Sequence, residues 1–388
     1  MRKVKPQVWL IILLVGLPQL SETLYTPALT EIAKDFRVGH HLVEQSLTIY
    51  LFAFALGVLF WGRISDFVGR KPSFIAGLII FIIGSLFCAT SQTLNELLVG
   101  RFIQAFGGSI GSVLCQAMTR DAFQGAELGR IYSLVGTAIA FFPTVGPVIG
   151  GLMAEHHNWH YSFFILAIVA SLLLGQVIYI LPETHYNREK ISYSEIFLSL
   201  VKNKRVIACG IIVGSTNGMG FSFFAEGPFF LETLGLSPSL YGATFIISGL
   251  CQMISGHISK KQQGKKDPLT LIKTGIILTL IANLSLLIAL LCNVNTDFLL
   301  IITLISQMLR SFGLIFIVSN ALSLALIDYN RGIGTASSLF GCYYYTIIAI
   351  TTFIMALLHN GTLTIMPLYF SILTIIMLLV KIFLLKKS

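Results

Sequence analysis

Apolar residues run along this chain in stretches of roughly 20, separated by short polar islands, and roughly 20 residues is the length a helix needs to cross the hydrocarbon core of a bilayer. Twelve such stretches are predicted, at residues 8–29, 42–62, 72–92, 95–119, 129–152, 160–181, 206–231, 239–259, 269–292, 298–326, 333–358 and 363–385. The expected fold is therefore an all-α membrane protein of twelve transmembrane helices. The first stretch follows Arg2, Lys3 and Lys5 and flows into Glu22 and Pro27 without a small-residue cleavage site, so it is read as a retained span and not a signal peptide.

Composition agrees: 55% of residues are hydrophobic, 11% are charged and the mean hydropathy is +0.84, where a soluble domain is about 25% charged. The distribution of charge adds orientation. With both termini inside, 21 of the 26 lysines and arginines fall on inner segments, and the outer loops keep only Lys34 and Arg37. That asymmetry marks the cytoplasmic side, so the net charge of +9 is a topology signal and not a nucleic-acid footprint. The cluster from Lys260 to Lys266 suits anionic lipid headgroups.

The six cysteines are scattered singly within spans, without C-x-x-C spacing, and read as packing residues. His40 with His41, and His156 with His157 and His160, sit in outer loops that collect histidines readily, so no metal site and no cofactor is expected. There is no Gly-rich phosphate loop, metal-ligand spacing or nucleophile and base arrangement, so an enzyme is not expected either.

The chain repeats itself. Trp61-Gly-Arg-Ile-Ser65 returns as Ser255-Gly-His-Ile-Ser259, Arg101-Phe-Ile-Gln-Ala-Phe-Gly107 as Gln307-Met-Leu-Arg-Ser-Phe-Gly313, and Ser133-Leu-Val-Gly136 as Ser338-Leu-Phe-Gly341. Matches in corresponding spans and in the same order imply two six-helix halves, residues 1–181 and 206–388, joined by a cytoplasmic linker at 182–205. A substrate is then expected where the halves face each other. The chemistry is not symmetric, because Asp66 of the first half becomes Lys260 in the second.

The decapeptide Gly62-Arg-Ile-Ser-Asp-Phe-Val-Gly-Arg-Lys71 resembles the loop between the second and third spans of the major facilitator superfamily, with Phe67 where that pattern has a base. Arg101, Gln104, Gly107 and Gly108 resemble its span-four pattern, and Pro143-Thr-Val-Gly-Pro-Val-Ile-Gly-Gly151 its antiporter signature, which is incomplete upstream at Ser133 and Phe142. Leu24-Tyr-Thr-Pro-Ala-Leu29, Arg120-Asp121, Asn158-Trp159, Leu181-Pro-Glu-Thr184 and Gly334-Thr-Ala-Ser-Ser338 look like the bicyclomycin and chloramphenicol resistance branch of drug:proton antiporters. The resemblance implies a gate built from Gly62, Asp66, Gly69, Arg70, Lys71 and Asp121. In it Asp66 faces the start of span eleven near Gly332 and Arg70 pairs with Asp121 only when the inner side is closed.

Four charges fall well inside predicted spans: Glu22, Arg101, Glu226 and Arg310. Each costs roughly 2.5 to 3.5 kcal/mol at mid-bilayer, on the order of 10 kcal/mol together, so something must offset them. Two readings stand. In one, Glu22 and Glu226 line the cavity, one exchanging a proton and the other meeting a cationic substrate, with Arg101 and Arg310 taking part in coupling. In the other, Glu22 with Arg101 and Glu226 with Arg310 are fixed salt bridges. Gln19, Glu22, Thr23 and Thr26 share one helical face, and Gln19, Tyr25, Tyr50, Phe54, Gln116, Phe142, Asn217, Phe224 and Tyr344 are the expected cavity residues.

The sequence thus points to proton-coupled efflux of small amphipathic molecules or drugs across a bacterial inner membrane. The partners expected are a small-molecule substrate, protons and the lipid bilayer, with no nucleic acid and a monomeric state. A dedicated metabolite, siderophore or sugar exporter is the first alternative, and a non-transporting sensor or scaffold the second.

Overall fold

The computed structural model describes residues 5–184, 193–263, 265–329 and 333–385, and for residues 126, 133, 140 and 333 the backbone alone. Arg188, Lys190, Arg331 and Gly332 lie outside the described residues. In chain order the helices are α1 Val8–Thr23, α2 Leu29–Phe36, α3 His40–Val68, α4 Arg70–Ala89, α5 Leu94–Ala122, α6 Gly125–His156 and α7 His160–Ile180. After them come α8 Tyr193–Lys202, α9 Lys204–Thr233, α10 Pro238–Gln262, α11 Pro268–Leu291, α12 Thr296–Ala325, α13 Ile333–Leu358 and α14 Ile365–Leu384.

Polar side chains at the edges of the apolar runs explain where several helices start. Thr93, Asn203, Ser237, Asp267 and Asn295 each accept a hydrogen bond from a backbone N–H in the first turn of α5, α9, α10, α11 and α12. α1 and α2 form one span, Val8–Phe36, interrupted by a 3-10 turn at Thr26–Ala28 that holds Pro27, a residue with no N–H to continue a helix. Among the described residues, eleven segments are long and apolar enough to cross a membrane. The twelfth long helix, α10, packs on α6 and α12 and carries Ser248, Gln252, Ser255, His257 and Ser259.

Several helices outrun their apolar stretch. The span expected at 42–62 is a helix from His40 to Val68, because nothing in Arg63 to Val68 opposes helical dihedrals. Residues 62–71 are therefore not a loop. They are a helix end, one hinge residue and a helix start, the break being Gly69 alone at φ 109°, a value that favours glycine.

Two apolar cores account for most of the packing. One gathers side chains from Leu10 to Leu181 with Phe229, and the other side chains from Leu200 to Leu385. A third cluster joins the halves: Tyr50, Phe54 and Val58 of α3 meet Tyr345, Ile348 and Ala349 of α13, with Phe221 and Ala225 of α9 beside them. The matching contact is α6 against α10. At both seams the second long helix of one half meets the fifth of the other.

Between lipid-facing helices the hydrophobic effect offers little, so close approach through small residues supplies the attraction. A Cβ on Gly242 of α10 would lie 2.1 Å from the Pro147 carbonyl oxygen of α6, and one on Gly151 of α6 2.3 Å from that of Pro238. Only glycine allows this backbone contact. The end of the bundle that holds α8, the start of α1 and the turn at Gly69 is called the linker end below, and the opposite one the far end.

Candidate functional site

A cavity of ≈ 630 Å³ lies between the halves. Arg120 at the end of α5, Tyr132 near the start of α6, Leu326 after α12 and Ser337 and Ser338 near the start of α13 line it, which carries it to the linker end. At the far end the halves are closed. There Gly151 and Gly242 press on opposing backbone, Lys34 pairs with Glu232 at 2.8 Å, Ser237 and the Ser239 N–H donate to Glu155, and Thr48 bonds Thr352 at 3.2 Å.

The walls are aromatic and amide-bearing. Phe224 stacks on Phe245 with ring centroids 4.7 Å apart, and Phe221, Phe223, Phe340, Tyr344 and Tyr345 extend the surface. Gln19, Gln116, Asn217, Gln252 and Gln307 supply polar groups, and Arg120 and Arg310 the charge. No carboxylate belongs to the wall among the described residues.

Of the nine cavity residues expected, Gln19, Gln116, Asn217, Phe224 and Tyr344 are on the wall. Tyr25, Tyr50, Phe54 and Phe142 are not, because each is used inside the packing. Tyr25 and Tyr50 hold Arg101 between them, its guanidinium 4.2 and 4.1 Å from their ring centroids. Their hydroxyls bond Ser46 and the Pro18 carbonyl. Phe54 is fully buried against Tyr345, with ring centroids 4.6 Å apart, and Phe142 packs on α1 at Gly16.

Neither salt bridge of the second reading forms among the described residues. Arg101, fully buried, donates to the Ser21 carbonyl at 3.1 Å and to Gln104 Oε1 at 2.6 Å, and Gln104 passes the chain on to Ser85. Glu22 is fully buried within electrostatic reach of Arg101, yet neither of its oxygens has a hydrogen-bond partner among the described residues. It lies one turn behind the wall residue Gln19 and not on the wall itself. Arg310 is on the wall, with Nη1 donating to Asn283 at 3.4 Å and Phe223 and Phe370 near its guanidinium.

Glu226 is also off the wall. Its Oε2 accepts from His359 Nδ1 at 2.5 Å, and the same nitrogen lies 2.7 Å from Glu44 Oε1. Burial opposes protonation of the His359 imidazole, but its hydrogen bond to Glu226 and the negative charges of Glu226 and Glu44 outweigh it and push its pKa up to about 10. Although no metal-ligand spacing exists in sequence, the fold brings these three side chains together with their ligand atoms within 4.8 Å of one another. Glu44 and His359 escape the sequence reading because they fall at the edges of spans. The available signal was the spacing of Glu44 with Leu47, Thr48 and Leu51, one buried helical face.

At the linker end Arg70 Nη1 contacts Asp66 at 2.7 Å and Ser65 at 2.6 Å, and its Nε meets Asp121 at 3.2 Å. Glu183 accepts from the N–H groups of Arg70 and Lys71, both at 3.1 Å, an acid at the positive end of α4, and Lys71 Nζ reaches the Ile178 carbonyl. Gly62 lies against Ser338 of α13. The Arg70–Asp121 pair was expected only with the inner side closed, but it is present while the cavity reaches this end, because both residues belong to the first half. An approach of Asp66 to Gly332 lies outside the described residues.

A family model described as Major Facilitator Superfamily matches residues 11–352. An "uncharacterized transporter" of Rickettsia bellii is 32% identical over 379 residues, 95% of this chain and 93% of that one. A bicyclomycin resistance protein homolog of Haemophilus influenzae is 26% identical over 359 residues, covering 89% and 87%. Among solved structures, the xylose transporter of E. coli in a partially occluded inward-open conformation superposes with a TM-score of 0.76 at 15% identity, covering 97% of this chain and 96% of that one, a likeness of fold.

Proposed function

Since this chain belongs to the Major Facilitator Superfamily, we propose that it expels small amphipathic molecules in exchange for protons, by alternating access across a bacterial inner membrane. The carrying observation is the cavity. Its aromatic walls accept varied apolar shapes, and its amides give hydrogen bonds without fixing one geometry. With Arg120 and Arg310 as its charges among the described residues, it favours neutral or anionic amphipaths over the cationic substrate that one reading of the buried acids offered.

Glu22 is the proton carrier in this reading. Buried and without a hydrogen-bond partner among the described residues, its carboxylate is costly as an anion in the present state, and it regains water when the far end opens. The linker end is the cytoplasmic one, given where the bases fall. Residues 1–181 and 206–388 are the moving halves, 182–205 is their linker, and the working unit is a monomer. The experiment is substrate-dependent proton flux in liposomes, with substrates first chosen by a thermal-shift screen of drugs, siderophores and sugars. A substrate that moves at the same rate with and without a pH gradient overturns the exchange.

Two variants probe the parts. Asp66→Asn takes one of two carboxylates from Arg70 and is expected to slow transport about tenfold, roughly 1.4 kcal/mol, with membrane insertion intact. Initial rates in vesicles, normalised to folded protein, check it. Arg310→Gln is expected to weaken anionic substrates about tenfold and neutral ones by less than about twofold, read by equilibrium binding. Equal loss for both classes removes Arg310 from charge recognition.

A further inference from the structure

We propose that Glu44, Glu226 and His359 form a binding site for one divalent transition-metal cation of the zinc class, set in the far-end seam so that the bound ion fastens the two halves together. Glu44 belongs to the first half, Glu226 and His359 to the second. Their ligand atoms lie within 4.8 Å of one another, away from the wall of the cavity.

Proton counting points to a cation. His359 Nδ1 can carry only one hydrogen for two carboxylates, and the shorter of its two contacts, 2.5 Å against 2.7 Å, is to Glu226. Glu44 Oε1 lies 2.7 Å from the same nitrogen with no hydrogen directed at it, and neither Glu44 oxygen has a hydrogen-bond partner among the described residues, although Glu44 is 1% exposed. A buried carboxylate left in that condition costs several kcal/mol. A dication resolves both problems. Two carboxylates, a neutral imidazole and M²⁺ sum to zero charge, and the ion takes the place of the Nδ1 proton, which leaves to solvent.

The donor set of one imidazole nitrogen and carboxylate oxygens is one that zinc accepts, at about 2.0 to 2.2 Å, with a fourth position open. Around a tetrahedral ion the ligand atoms sit about 3.3 Å apart. Glutamate side-chain rotations supply the small spreading needed from 2.5 and 2.7 Å. His40 gives access from solution. It is exposed, stacks on Phe229, and its ring centroid is 5.7 Å from that of His359.

Metal binding stands independently of the transport reading, whereas the fastening of a state that must later open rests on alternating access. Purified full-length protein is titrated with Zn²⁺ against a chromophoric chelator. One ion per chain is expected, with affinity at least about tenfold weaker in Glu44→Gln and in His359→Gln and unchanged in His157→Gln. His359→Cys, which keeps a ligand, is expected to move preference from Zn²⁺ towards Cd²⁺ by about tenfold or more, so a poorly folding glutamine variant does not end the test. No stoichiometric zinc binding in the wild type, or binding equal in Glu44→Gln, overturns the site. Spin labels across the far end are expected to give a narrower, shorter distance distribution with zinc. Zinc bound without that change overturns the fastening, and an absence of proton flux with zinc still bound counts against the transport reading alone.

Discussion

Glu22→Gln is expected to slow proton-driven exchange on the order of a hundredfold, about 2.7 kcal/mol in the barrier, while substrate binding stays within about threefold. The residue is fully buried in α1, one turn from Gln19 on the cavity wall, with both carboxylate oxygens unpartnered among the described residues. Arg101 acts on it electrostatically without a direct bond: its Nη1 donates to the Ser21 carbonyl and Gln104, two tyrosine rings flank the guanidinium, and its Nε and Nη2 have no hydrogen-bond partner among the described residues. Glutamine keeps the shape and removes the titration. Binding contacts on the wall therefore survive, and only steps that need the acid to change state are lost. Counterflow, which moves no net proton, is measured beside pH-driven uptake in the same liposomes. Wild-type uptake in the variant, or counterflow lost as fully as uptake, refutes the assignment.

Gly242→Val is expected to move the conformational equilibrium away from the state described here. Its Cβ would meet the Pro147 carbonyl oxygen at 2.1 Å and the Val148 Cα at 3.2 Å, backbone atoms with no rotamer by which to yield. Overpacking of this kind costs about 1 to 3 kcal/mol, a shift of about fivefold to more than a hundredfold in population. The strain exists only while α6 and α10 touch at the far end, so separation of that seam relieves it. Pulsed EPR between labels on the far-end loops reads the result as a longer distance. Gly242→Ala gives a graded control, and a distance distribution identical to wild type in the folded valine variant removes this seam from gating.

Much of this fold is legible in hydropathy, because a helix crossing lipid must be apolar along most of its length. The edges are harder. Hydropathy stops where lipid stops, but the α3 helix continues through Arg63, Ser65 and Asp66, since intrahelical hydrogen bonds do not need apolar side chains. The same edge effect hid Glu44 and His359, which look like surface residues one by one and become a largely buried cluster only when α3, α9 and the end of α13 converge. Among the aromatics, sequence separates wall from packing poorly. Tyr25 and Tyr50 carry the same chemistry as Tyr344, and what distinguishes them is the buried Arg101 that they face. Glu183 was visible only as part of a family-like tetrapeptide, and its bond to the start of α4 depends on a partner more than a hundred residues earlier.

The single-residue turn at Gly69 has a mechanical consequence. With α3 joined to α4 through one residue, and Arg70 and Glu183 tying that corner to α5 and to the chain beyond α7, these four elements are fastened together at the linker end. A push on α3 at the far seam is transmitted to this corner as through a stiff lever. Distances between labels placed on α3, α4, α5 and α7 at this end should therefore stay constant through the whole transport cycle, while distances from any of them to α10 or α12 vary.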